Sequence, residues 1–124
     1  MPRKTSVALT DGEARVMAVL WRLKTARVAD VVTSLKAQYA LTYSTVQTTL
    51  RILEHKGYVA HEKVARAFVF KPIVDERQAR RRALKHLIGR LFNGSPSLLV
   101  SNVLDDDDID AAELQRLKKM IELA

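Results

Sequence analysis

The chain is 124 residues long, 48% hydrophobic and free of cysteine, and it carries a formal net charge of +7. This composition excludes wholesale disorder, disulfides, thiolate metal sites and cysteine nucleophiles, and the length allows one compact body or a small domain with an appendage. No apolar run approaches the ~20 residues of a bilayer span, and MPRKTSVALTDGE lacks the apolar stretch of a signal peptide, so a cytoplasmic protein with no membrane partner is expected.

Thr10-Asp11-Gly12-Glu13 has the spacing of a capping box and opens a first helix whose buried stripe is expected to be Ala14, Met17, Leu20 and Trp21. At that spacing the tryptophan belongs to a core rather than to a stacking platform. Ala26 to Val28 reads as a short extended link. Val28, Val31, Val32 and Leu35 then form the apolar side of a second helix ending near Tyr39. A third helix runs from Thr42 or Tyr43 to Gly57, which suits a left-handed terminating position. Tyr58–Val64 and Ala67–Phe70 alternate as two half-buried strands. The turn at Ala65-Arg66 has no Gly or Asn, so a loose or bulged connection is expected, and Pro72 ends the second strand.

Beyond Pro72 the pattern is helical. Asp75 with Gln78 caps a long helix, with Val74 just ahead of the cap, and Ala79, Ala83, Leu84, Leu87, Ile88 and Leu91 lie along it up to Phe92. Asn93-Gly94 breaks it. Ser95-Pro96 starts the next helix, which carries Leu98, Leu99, Val103 and Leu104. Asp105–Asp108 is an acidic connector, and Asp110 with Glu113 caps a last helix bearing Leu114, Leu117 and Ile121, with Ile109 stapled to Leu114. These helices are too few to enclose a core alone, and a second copy of the chain is the simplest partner for their apolar stripes.

The charge is unevenly spread. Residues 1–71 hold twelve Lys/Arg against five Asp/Glu, whereas 72–124 hold nine of each, so the whole positive surplus lies in the first part. Such asymmetry points to a polyanion-binding module joined to something else. In the third helix Val46, Leu50 and Leu53 face a core. Ser44, Gln47, Thr48, Arg51 and His55 point away from it, an amide-, hydroxyl- and guanidinium-rich face of the kind that bonds base edges and phosphates. With Tyr43 and Ser44 at its start, this helix is a candidate major-groove reader, and Lys63 and Arg66 near the hairpin tip are candidates for phosphate or minor-groove contact. The bland alternatives are a solvated helix face and two ordinary surface charges. The cluster Arg77, Arg80, Arg81, Arg82 and Lys85 reads as a solvated helix face.

Catalysis finds little support. His55, His61 and His86 fall on three different elements without paired ligand spacing, and Asp105–Asp108 lacks the alternation and glycine of a calcium loop. No enzyme activity, metal or cofactor is expected.

The segments LTDGEARVMAVLW, YSTVQTTLRILEHKGYV, RAFVFKP and LFNGSPSLLVSNVL resemble the BlaI/MecI family of penicillinase and methicillin-resistance repressors over nearly the whole chain. The resemblance implies a dimeric winged-helix repressor of dyad-symmetric operators with interlocked C-terminal helices. It implies recognition-helix roles for Ser44, Thr45, Gln47, Thr48 and Arg51, and a wing role for Arg66, where Ala65 replaces the family's common glycine. It places the family's Asn-Phe cleavage step at Asn102-Val103, with valine for phenylalanine, so an inactivating protease is a possible partner. The cysteine-rich tail of the copper-sensing branch has no counterpart here.

The expected fold is mainly α with a small β-hairpin: a winged helix-turn-helix DNA-binding domain over residues 1–72 and a helical dimerisation region over 73–124. The expected dimer contacts are Leu84, Leu87, Ile88, Leu91, Leu99, Val103, Leu114, Leu117 and Ile121. The expected function is sequence-specific repression by a homodimer on double-stranded DNA. Two rivals stay open, a winged-helix adaptor that docks another protein and a small hydrolase or metal-dependent enzyme using the acidic run.

Overall fold

The computed structural model describes residues 8–123; Arg3 and Lys4, part of the positive surplus, and Ala124 lie outside them. The order is α1 (Asp11–Leu23), α2 (Val28–Leu35), α3 (Tyr43–His55), β1 (Val59–Val64), β2 (Ala67–Pro72), α4 (Glu76–Leu91), α5 (Pro96–Leu104) and α6 (Ala111–Leu123). The chain separates into two compact units, the first ending at Ala83 and the second beginning at Leu84. Past Pro72, Val74 and Ala79 are buried in the first core, which explains why that unit takes in the opening turns of α4.

In the first unit α1, α2 and α3 pack on one another and against the hairpin. The expected capping box is complete: Thr10 Oγ1 accepts the Glu13 N–H at 3.2 Å, and Glu13 Oε1 accepts the Thr10 N–H at 3.0 Å. The same Glu13 oxygen receives Lys56 Nζ from the end of α3 at 2.6 Å, and both side chains are about 93% buried. Lys56 Nζ also donates to the Ala8 carbonyl at 3.1 Å, so one ammonium closes the start of α1 against the end of α3.

The buried stripe of α1 departs from expectation: of Ala14, Met17, Leu20 and Trp21, only Met17 and Leu20 are fully buried. Ala14 is exposed, and Val16 and Val19 join Met17 and Leu20 in the core. Alanine fits either face, whereas the larger valines are drawn inside by the area they remove from water. Trp21 packs at the core margin and donates from Nε1 to the Val74 carbonyl at 2.9 Å. The second helix ends at Leu35, short of Tyr39. Leu35's carbonyl accepts the N–H groups of Gln38 and Tyr39, closing the end as a turn.

Helix α3 starts after Thr42, whose side chain accepts the Thr45 N–H. Val46, Leu50 and Leu53 are fully buried, each worth roughly 1.5–3 kcal/mol of transfer free energy, and they fix which face of α3 is left outside. Gly57 has φ +84°, the left-handed exit that glycine adopts without steric cost.

The hairpin differs from its expected loose form. Val64 pairs with Ala67, leaving only Ala65 and Arg66 in the loop, at φ +48° and +70°. Positive φ at both central residues is the signature of a type I′ turn, whose twist matches the strands it joins. The strands' demand for a tight twisted connection outweighs the left-handed penalty on two residues with side chains. The link before α2 contributes one bridge: Ala26 and Phe70 exchange both backbone hydrogen bonds at 2.9 and 2.8 Å.

The second unit begins within α4, which is followed by two left-handed residues, Asn93 and Gly94. Asn93 takes φ +54°, and the Gly94 N–H reaches back to the Ile88 carbonyl at 3.0 Å. Ser95 caps α5 with Pro96 in the first turn, and Asp110 Oδ1 accepts the Glu113 N–H at 2.8 Å at the start of α6. Neither α5 nor α6 has a buried residue, and Leu84, Leu91, Leu98 and Ile121 are about half exposed or more.

Candidate nucleic-acid interface

Anchoring α3 by Val46, Leu50 and Leu53 turns the opposite side outward. Tyr43, Ser44, Thr45, Thr48 and Arg51 are exposed and Gln47 is half-buried. The first-turn hydroxyls cluster around the cap: Thr42 Oγ1 lies 2.9 Å from Thr45 Oγ1 and 3.3 Å from Ser44 Oγ. Thr49 is turned inward enough to donate to the Thr45 carbonyl at 2.8 Å.

Between this face, the start of α2 and the hairpin lies a groove of about 630 Å³. Tyr43, Gln47, Arg51 and Glu54 line it from α3, Arg27, Val28 and Ala29 from the α2 start, and His61, Arg66, Phe68 and Phe70 from the hairpin. Of the residues expected from sequence, the groove brings Tyr43, Gln47 and Arg51 together with Arg66. Ser44, Thr45 and Thr48 stand on the outer face of α3, and Lys63 is exposed on β1 opposite Phe68. None of these four lines the groove.

Three arginines, Arg27, Arg51 and Arg66, thus line one groove from three elements. Arg27 is held by Asp30: its backbone N–H donates to Asp30 Oδ2 at 2.9 Å and its guanidinium meets both carboxylate oxygens at 3.3 and 3.4 Å. The Arg27 backbone hydrogen bond, with the side-chain bonds second, holds the Asp30 carboxyl below its ordinary 3.8. Opposite, His61 Nδ1 lies 2.6 Å from Glu54 Oε2, while its ring stands edge-on to Phe68 with centroids 5.1 Å apart and tilted against Phe70 at 5.3 Å.

Arg27, Glu54, His61 and Phe68 were not expected at the site. The signal for Arg27 is the Asp three positions later. The signal for His61, Phe68 and Phe70 is strand register, since a two-residue turn puts all three on one face, and a loose turn blurs that register.

Among the described residues no group of three or more His, Asp and Glu side chains converges to hold a metal ion, and within the acidic connector Asp106 Oδ1 accepts the Asp108 N–H at 2.9 Å. No helix among them is long and apolar enough to cross a membrane.

The penicillinase repressor family matches residues 9–123. The chain is 29% identical to the penicillinase repressor of Bacillus licheniformis, over 92% of this chain and 89% of that one. It is 22% identical to the methicillin resistance regulatory protein MecI of Staphylococcus aureus strain N315, over 91% and 92%. Among solved structures it is similar to the DNA-binding domain of the repressor BlaI, with a TM-score of 0.53 and 32% identity over 61% of this chain and 93% of that one. It is similar too to monomeric B. licheniformis BlaI in complex with the blaP half-operator, with a TM-score of 0.50 and 31% identity over 63% and 93%.

Proposed function

The chain belongs to the penicillinase repressor family, and from that premise we propose that it is a DNA-binding transcriptional repressor, acting as a homodimer on dyad-symmetric operators. The observation that carries the proposal is the groove in which Gln47 and Arg51 of α3 meet Arg27 and Arg66. On this reading α3 enters the major groove. Gln47 is matched to adenine and Arg51 to guanine by bidentate hydrogen bonds, Tyr43 reaches a thymine methyl, and the Ser44, Thr45 and Thr48 hydroxyls bond base edges or phosphate at the outer face. Arg66, with Lys63 behind it, rests on the flanking backbone as the wing, and Arg27 neutralises a phosphate at the start of α2. Affinity comes mainly from phosphate neutralisation and sequence choice from α3.

The dimer follows from the second unit. Every buried apolar residue among those described lies at or before Ala79. Leu84, Leu87, Ile88 and Leu91 of α4, Leu99 and Val103 of α5, and Leu114, Leu117 and Ile121 of α6 are at best half-buried and are assigned to a second copy. Two α3 helices then fall ~34 Å apart in successive major grooves and occlude a promoter. The place of action is the cytoplasm, where the DNA is. The position of the family's cleavage step, Asn102-Val103, lies inside α5, with Asn102 Nδ2 bonded to the Leu98 carbonyl at 2.8 Å. An inactivating protease has to unwind that turn first.

In-vitro selection of bound duplexes from a random library tests the proposal. The expected result is an enriched dyad-symmetric site whose affinity falls steeply as salt rises. Failure to enrich any sequence, with affinity flat in salt, refutes it and favours the protein-docking adaptor.

A further inference from the structure

We propose that His61, held by Glu54, is a positioning residue that takes up a proton when duplex DNA fills the groove, so that operator binding tightens as pH falls through the histidine range. The inference rests on the DNA-binding reading and extends it to a group that the reading does not use.

Glu54 sits one helical turn beyond Arg51 on the same side of α3 and lines the groove with it. A carboxylate there faces incoming phosphate, and like charge at an interface is costly. His61 is the group that meets it, at 2.6 Å across the gap from β1. This side-chain hydrogen bond ties α3 directly to the hairpin, linking recognition helix and wing. Phe68 and Phe70 fix the ring's orientation. The two partners remain 38% and 35% exposed, so protons exchange freely with solvent.

The proton balance is simple. With His61 neutral, its Nδ1–H donates to Glu54, Nε2 is a free acceptor and the pair carries one negative charge. Solvent then supplies one proton to Nε2, and the pair becomes neutral overall. The charges around the ring are Glu54 and Arg51 from α3, Arg27 with its partner Asp30 from the start of α2, and Arg66 and Lys63 from the hairpin, Lys63 two residues along β1 from His61. A phosphodiester strand in the groove sets its negative charge beside Glu54, whose own charge a neutral His61 leaves uncancelled, so the protonated pair favours the bound state.

The test uses the full chain and the duplex obtained by selection. Calorimetric titration near neutral pH in two buffers of different ionisation enthalpy reads proton uptake directly; wild type is expected to take up a substantial fraction of about one proton. Affinity at fixed salt should be about three- to tenfold tighter at about pH 6 than at about pH 8. His61→Gln should lose the uptake and most of the pH slope. Glu54→Gln should also lose the slope yet bind more tightly than wild type at about pH 8, an opposite sign that a purely structural bond would not produce. Wild type binding without proton uptake overturns the proposal, as does equal uptake in His61→Gln, or uptake lost in His55→Gln and kept in His61→Gln. Absence of specific binding at every pH refutes instead the DNA-binding reading beneath it.

Discussion

Replacing Lys56 with Met removes the ammonium that joins α3 to the start of α1 and keeps most of the apolar stem. In the native protein Nζ sits 2.6 Å from Glu13 Oε1 and 3.1 Å from the Ala8 carbonyl, with the two side chains only 6% and 7% exposed. At an effective dielectric of about 20 the gross attraction at that distance is about 6 kcal/mol, largely offset by desolvation of both ions. The variant loses the attraction but leaves the Glu13 carboxylate buried, still accepting the Thr10 N–H. The expected loss is therefore about 3–4 kcal/mol, within the roughly 3–5 kcal/mol typical of removing one partner of a buried pair. Against a total of about 5–15 kcal/mol this is a large fraction. Urea unfolding followed by far-UV circular dichroism should show the midpoint falling by about 2 M at an m-value of about 1.5–2 kcal/mol/M. Adding Glu13→Gln to Lys56→Met should restore about 2 kcal/mol, because a neutral amide is far cheaper to bury than a lone carboxylate. A single-variant loss below about 1 kcal/mol, the worth of a surface pair, would refute the reasoning.

Ala65→Gly should stabilise the protein by about 0.5–1 kcal/mol, since φ +48° costs alanine more than glycine loses in chain entropy; a lowered melting temperature would contradict this. Arg51→Ala should weaken binding to the selected duplex by about 1–3 kcal/mol, and an unchanged titration would remove Arg51 from base contact. Leu117→Asp should convert the dimer to monomer in sedimentation velocity, because it puts a charge in an apolar seam, and a persisting dimer would exclude α6 from the interface. Asp30 has a lowered folded pKa, so its support of α2 is complete above its ordinary 3.8 and disappears as pH falls through the lower folded value. Asp30→Asn should therefore lose stability at neutral pH and show a shallower acid-unfolding slope between that lower value and 3.8.

Local chemistry was legible and juxtaposition was not. The Thr10/Glu13 box, the Val46/Leu50/Leu53 seam, the Asn93-Gly94 stop and the Ser95-Pro96 start each depend on side chains within a few positions of one another, so spacing alone reveals them. Ala14 was misplaced because a methyl group satisfies either face of a helix. The hairpin was expected too loose because its turn lacks the residues that tolerate positive φ, whereas strand pairing enforces the tight form. That error hid the face shared by His61, Phe68 and Phe70. Arg27 and Glu54 join Arg51 and Arg66 only once α2, α3 and the hairpin are folded together, a relation no single-element pattern contains.

The chain has a single tryptophan, and its indole N–H is tied to the Val74 carbonyl just where the backbone leaves the hairpin and turns into α4. Nature has thus placed one intrinsic fluorophore on that junction. Its emission colour and quenching provide a label-free optical gauge of whether the bond at Val74 holds, and any event that tugs on the start of α4 can be followed in real time by light alone.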